Sequence, residues 1–217
     1  MGGSGCGKST VMKTLIGLKQ PVGGDVFING TSLWGIDEAA RNKILQKFGV
    51  SFQSGALFSS MTVAENIALP MELTGKMSGA QIARRIDEKL EMVGLANSGN
   101  LYPTEISGGM VKRAALARAL ALDPDVVFFD EPSAGLDPIR SKQLDDLIVK
   151  INRAGTTIIM VTHELDSINT IATNSIYLDA TTHGISGRGN PHTLLETTKN
   201  REIIEFLTRG KTKGKKC

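Results

Sequence analysis

Short apolar runs alternate with amphipathic segments along this chain, a pattern that predicts α/β architecture with a mostly parallel sheet flanked by helices. Three runs read as buried strands: Phe48–Gln53, Val126–Asp130 and Thr156–Thr162. Val126, Val127, Phe128 and Phe129 are apolar without alternation, as a strand covered on both faces requires. Ile82, Ile86, Leu90 and Val93 recur at helical spacing, and Ser78 with Gln81 forms a capping box ahead of them. Leu144, Leu147, Ile148 and Ile151 make a second apolar stripe, closed by Gly155. The glycines from Gly184 to Gly189 mark turns and a short hairpin, and two short helices follow, Pro191–Thr198 and Arg201–Thr208. The stretch from Ala56 to Leu101 is more helical than its surroundings and reads as part of a helical subdomain, about 56–122, inserted into the α/β core.

Composition narrows the picture modestly. With 217 residues, 41% hydrophobic and 22% charged, the chain fits one domain over 1–210, followed by a basic tail over 211–217. The formal charge of +3 comes from that tail, which holds Lys211, Lys213, Lys215 and Lys216. Without those four the chain carries 21 of its 25 basic side chains against 22 acidic ones, so a nucleic-acid-binding surface is not suggested. Cys6 and Cys217 alone supply no disulfide or metal framework. No apolar stretch is long enough to span a bilayer and no secretory signal is present, so the chain reads as cytosolic, meeting any membrane by docking on a partner.

The candidate chemistry begins at the first residues. Gly2-Gly3-Ser4-Gly5-Cys6-Gly7-Lys8-Ser9-Thr10 matches the phosphate-binding pattern G-x-x-x-x-G-K-[ST]. Its glycines let the backbone curl so that successive N–H groups face phosphate oxygens. Lys8 reaches the β- and γ-phosphates, the Ser9 hydroxyl is a ligand for Mg²⁺, and the helix opening at Lys8 aims its positive end at the same anion. Further on, Val126 to Asp130 ends in a second carboxylate, Glu131: Asp130 is placed to hold Mg²⁺ and Glu131 to polarise an attacking water. Gln53 ends the strand Phe48–Gln53 and His163 follows Thr156–Thr162. Three strands thus deliver polar groups at the carboxyl edge, where open α/β sheets bind ligands.

Ile106-Ser107-Gly108-Gly109-Met110, followed by a helix-forming run from Val111 to Leu122, resembles the ABC signature sequence with its outer residues replaced. Ser107 caps the helix, and Gly108 and Gly109 admit close backbone approach to a second phosphate-binding helix end. Ser133-Ala134-Gly135-Leu136-Asp137 follows Glu131 as the family's D-loop does. The chain is therefore identified as resembling the ABC ATPases, P-loop NTPases with an inserted helical subdomain. That resemblance implies ATP and Mg²⁺ as cofactors and a head-to-tail homodimer, with ATP between Gly2–Thr10 of one subunit and Ser107–Gly109 of the other. In it Glu131 is the base, His163 contacts the γ-phosphate, and Gln53 reads the Mg²⁺ and the water. The second ATPase subunit and integral membrane permease subunits are the implied partners, with no nucleic acid.

Phe52-Gln53-Ser54-Gly55-Ala56-Leu57-Phe58, the run Thr62 to Pro70, Ser107 to Ala119 and the ending Glu205 to Gly210 resemble the ATPases of the Mla/Mce lipid-transport systems. This implies phospholipid transport between bacterial membranes, a lipid-binding MCE-type partner, and a place on the cytoplasmic face of the inner membrane. A soluble ABC protein of translation or repair calls for two ATPase halves or a long insertion, and a non-hydrolysing binding module for lost catalytic groups; neither fits. A membrane-linked ABC ATPase of cell division differs only in its partner. ABC ATPases also carry a small β-subdomain before the P-loop, with an aromatic residue that stacks on adenine. Only Met1 precedes Gly2 here, so that subdomain is expected to be largely missing, the chain a fragment or one with a mis-assigned start.

Overall fold

The computed structural model describes residues 1–3 and 5–210, so Ser4 and the tail 211–217 lie outside the described residues. In chain order the elements are α1 (Lys8–Leu15), β1 (Phe27–Ile28), β2 (Thr31–Ser32), α2 (Glu38–Leu45), β3 (Phe48–Ser51), α3 (Val63–Thr74), α4 (Gly79–Met92), a 3-10 turn at Pro103–Glu105, α5 (Gly108–Ala119), β4 (Val126–Asp130), α6 (Pro138–Arg153), β5 (Thr157–Val161), α7 (Leu165–Ile171), β6 (Ser175–Leu178), β7 (Ile185–Gly189), α8 (Pro191–Thr197) and α9 (Arg201–Thr208). They form two compact units: Met1–Val11 with the chain from Val161 onward, and Met12–Met160.

In the larger unit the strand order is β3-β4-β5. β3 and β4 run parallel, pairing Phe48 with Val126 and Ser51 with Phe129. The central strand β4 is covered on both faces as its unbroken apolar run predicts, with Val127, Phe128 and Phe129 at most 1% exposed. Phe128 also meets Phe48 edge-on at 5.1 Å. β3 is shorter than predicted. It ends at Ser51, and a turn closed by Gly55 N donating to Phe52 O (2.8 Å) takes over, so Gln53 lies in the turn and not on the strand. β5 also departs from expectation. Thr157 and Ile159 remain exposed, because an edge strand has one ladder partner and here one uncovered face.

Helices α3, α4 and α5 occupy the predicted helical stretch, and Ser78 with Gln81 makes both bonds of its capping box. Helix α5 begins at Gly108, as the expected cap requires: the Ser107 hydroxyl accepts from Met110 N. Gly49 is required where α5 meets β3: a Cβ there would lie 2.2 Å from Ala119 O. Asn66 of α3 is fully buried. Its amide donates to Phe58 O, Met61 O and Thr62 O and accepts from Phe58 N, which fastens the loop ahead of α3. At the far end of α5, Asp123 takes Lys89 and Arg85. Burial opposes its charge, but those two cations prevail and hold its carboxyl below the usual range.

In the smaller unit β6 and β7 form an antiparallel hairpin, over which Leu165, Ile168, Tyr177, Leu194, Ile203 and Leu207 make a core. Two glycines expected in turns lie in β7 instead. Gly187 serves close packing: a Cβ would stand 2.6 Å from Ile203 Cδ1 of α9. The turn is made upstream by Asp179, whose carboxylate accepts from Thr181 N, Thr182 N and Ser186 Oγ. These bonds hold its pKa at about 2.

Candidate functional site

The sequence-derived site residues divide between the two units, and each set is built by its own local structure. Gly2 to Thr10 and His163 belong to the smaller unit, and residues 2–7 lead into α1 at Lys8. Gln53, Ser107, Gly108, Gly109, Asp130 and Glu131 belong to the larger one.

The loop Gly2–Thr10 leaves the hairpin edge directly. Met1 N donates to Ile176 O (2.8 Å) and Leu178 N donates to Met1 O (2.9 Å), so residue 1 pairs with β6 as a further rung. The backbone then turns through φ of +148° at Gly2, +77° at Gly5 and +93° at Gly7. At Gly2 no other residue fits, since a Cβ would meet Leu178 O at 2.3 Å and Cys6 Sγ at 2.8 Å. Lys8 opens α1 and folds its ammonium back over the loop, donating to Gly2 O (2.9 Å) and Gly3 O (2.7 Å) beside Cys6 Sγ (3.8 Å). Ser9 and Thr10 are exposed on the first turn of that helix. A loop of left-handed glycines, one ammonium and a helix N-terminus together make a cradle for a polyphosphate. His163 is exposed, two residues beyond β5, and the buried Thr162 hydroxyl accepts from Glu164 N to start α7.

In the larger unit Asp130 ends β4 half-buried and Glu131 follows it buried, in a left-handed conformation with φ of +49°. That backbone is uncommon for a side-chain-bearing residue and turns the chain sharply off the strand. The next loop is held from α5, where Lys112 Nζ donates to Ala134 O. Asp137 caps α6 by accepting from Arg140 N (3.0 Å) and pairs with its guanidinium (3.3 Å). Gly109 lies against that guanidinium stem, 3.4 Å from Arg140 Cδ to an ideal Cβ, so the signature turn and the D-loop adjoin within one unit. Ser107 and Gly108 are exposed. Gln53 is exposed too, its turn tied to α5 by Arg118, which donates to Gly55 O (2.9 Å) and Ala56 O (2.8 Å). Sequence reasoning gave Lys112 and Arg118 no role; they are two of three bases on an otherwise largely buried helix, with Arg113 the third, and that is the signal available.

Within the larger unit, Asp130 and Gln53 each carry an oxygen of the kind Mg²⁺ takes, and in the smaller unit the Ser9 hydroxyl is another. Among the described residues no group of three or more His, Cys, Asp or Glu side chains is placed to hold a metal ion.

A family model described as ABC transporter matches residues 1–134. A probable ribonucleotide transport ATP-binding protein of Mycobacterium leprae is 44% identical over 175 residues, 80% of this chain and 50% of that protein. The methionine import ATP-binding protein of Rhodospirillum rubrum is 43% identical over 180 residues, 82% of this chain and 51% of its own length. The chain thus spans about half the length of the curated relatives it matches. Among solved structures, the dimeric post-hydrolysis ATP-binding cassette MJ0796 bound to ADP and Pi superposes with a TM-score of 0.79 at 32% identity, covering 88% of this chain and 83% of that one. The cbiO1 protein of Clostridium perfringens, part of the transporter complex cbiONQ, gives 0.81 at 26% identity over 96% of this chain and 81% of its own.

Proposed function

Because the chain belongs to the ABC transporter family, we propose that it is the ATP-binding and ATP-hydrolysing subunit of a membrane transporter. The observation that carries this reading is the loop Gly2–Thr10, whose left-handed glycines and inward-folded Lys8 form a polyphosphate cradle. When ATP enters, its phosphate oxygens replace the Gly2 and Gly3 carbonyls as partners of Lys8. Ser9, Asp130 and Gln53 are the residues to hold Mg²⁺, which neutralises charge on the β- and γ-phosphates. Glu131 accepts the proton of water as its oxygen bonds the γ-phosphorus and the bond to the ADP oxygen breaks, while His163 stabilises the γ-phosphate. A second copy supplies Ser107, Gly108 and Gly109 to the nucleotide, as the dimeric state of MJ0796 suggests by analogy.

The finer reading is that the transporter moves phospholipid or a related lipid between bacterial membranes, through permease subunits and an MCE-type lipid-binding protein, with this chain on the cytoplasmic face. The runs Phe52–Phe58 and Thr62–Pro70 and the ending Glu205–Gly210 support it. The names of the relatives favour a second reading, import of a nucleotide or an amino acid.

Phosphate release with ATP and Mg²⁺, alone and with the permease co-purified from its host, tests the activity. Lys8→Ala should lose nucleotide binding by calorimetry, and retained binding would sink the assigned cradle. Transfer of fluorescent phospholipid between vesicles holding the complex supports the lipid reading. Methionine or nucleotide uptake in its place, or co-purification with cell-wall remodelling machinery, overturns it.

A further inference from the structure

Arg118 has no part in the chemistry above, yet it is tied to the segment that carries Gln53. It sits in the last turn of α5, half-buried, and burial lowers its pKa from the ordinary arginine value. Its two terminal nitrogens each find a carbonyl, Ala56 O at 2.8 Å and Gly55 O at 2.9 Å. Those two residues are consecutive and both left-handed, with φ of +78° and +48°. For an alanine that conformation crowds Cβ against the following carbonyl, so something must hold it. The planar guanidinium fork suits two neighbouring acceptors, where an ammonium offers a single charged point.

The same turn is pressed on α5 from beneath. A Cβ on Gly55 would stand 3.0 Å from Val111 Cγ1 and 3.4 Å from Ala115 Cβ, so the backbone lies directly on the helix. Gly55 N closes onto Phe52 O at 2.8 Å, which makes Gln53 the second residue of a turn anchored at its far end. Asn66 fixes the chain again at Phe58 and Met61. The Gln53 side chain itself is exposed and makes no hydrogen bond among the described residues. Its reach is therefore set by its backbone alone. Lys112 of the same helix holds Ala134 O, in the loop that follows Glu131.

We propose that Arg118 is a positioning residue for Gln53: it fastens the left-handed Gly55–Ala56 turn onto α5 and so fixes where the Gln53 carboxamide can act. One helix then sets the backbone on both sides of the chemistry, through Arg118 and Lys112. This rests on the reading of Gln53 as the residue that senses Mg²⁺ and the attacking water.

The test is a double-mutant cycle in the full chain, read as kcat, KM for ATP and the Mg²⁺ dependence of turnover. Arg118→Met, of similar reach but with no donor, should lower kcat by about 10- to 100-fold, leave KM for ATP unchanged and raise the Mg²⁺ needed for half-maximal rate. Arg118→Lys should fall between the two. In a Gln53→Ala background Arg118→Met should have no further effect, since both changes remove one function. Additive losses in that cycle, or wild-type kinetics in Arg118→Met, overturn the proposal. Amide hydrogen exchange gives a reading that does not depend on activity: Arg118→Met should speed exchange across residues 53–57 and leave residues 126–130 protected. Unchanged exchange at 53–57 overturns the clamp, and exchange raised throughout the chain marks a merely structural arginine. Absence of hydrolysis in the unaltered chain instead refutes the assigned ATPase and leaves the exchange result to judge the clamp.

Discussion

Single residues carry the tightest constraints in this protein, and Gly2 is the sharpest. Its backbone passes so close to Leu178 O that even one methyl group has nowhere to go. Gly2→Ala should cost about 1–3 kcal/mol, through overpacking and an adverse φ together, and should weaken nucleotide affinity as the loop shifts. Calorimetric unfolding and ATP titration of the variant check this; an unchanged melting temperature would show that the loop relaxes freely. The need for glycine at this position was legible from the motif, but its structural cause was not. The carbonyl it meets lies 176 residues along the chain, in a strand whose pattern, Ser175 to Leu178, is too short and too mixed to stand out. Glu131 repeats the lesson. Its carboxylate was readable as a candidate base, whereas its left-handed backbone leaves no trace in composition.

At the scale of elements, the β6–β7 turn depends on one carboxylate. Asp179 accepts from two backbone amides and a hydroxyl, and those donors hold its pKa at about 2 against an ordinary 3.8. A depressed pKa means that the folded hairpin favours the ionised form. Its contribution to stability is present above the unfolded value and fades as pH falls through the window from about 4 to about 2. A carboxyl NMR titration should find the Asp179 midpoint near 2, and Asp179→Ala should lower the melting temperature at neutral pH; a midpoint near 4 would show the turn open in solution. The strongly patterned elements were legible: β4, the capping box of α4 and the whole of α9 fall where spacing put them. Edges were not. β3 stops short because its ladder gives way to the Gly55 turn, and β5 is half exposed because burial depends on neighbours a one-dimensional pattern cannot name.

For the molecule as a whole, the dimeric cycle proposed above makes Glu131 the residue whose loss should stall the assembly. Glu131→Gln keeps the size and hydrogen-bonding reach of the side chain but cannot take a proton, so turnover should fall by about 10²- to 10⁴-fold. The nucleotide-bound dimer should then accumulate, measured as doubled mass in light scattering with ATP; a chain still monomeric under those conditions would refute the paired site. The candidate residues were legible as motifs because most of them follow a strand end or open a helix. How α5 organises them was not, since Lys112 and Arg118 act on carbonyls 22 and more than 60 residues away. The loop also contains its own reporter. Cys6, 7% exposed, lies 3.8 Å from the Lys8 ammonium that ATP must draw away from the loop carbonyls. Alkylation of that thiol, followed peptide by peptide to separate it from Cys217, should therefore proceed at one rate in the free chain and at a slower one when ATP is held. A dye and a stopwatch would then measure how long each nucleotide stays.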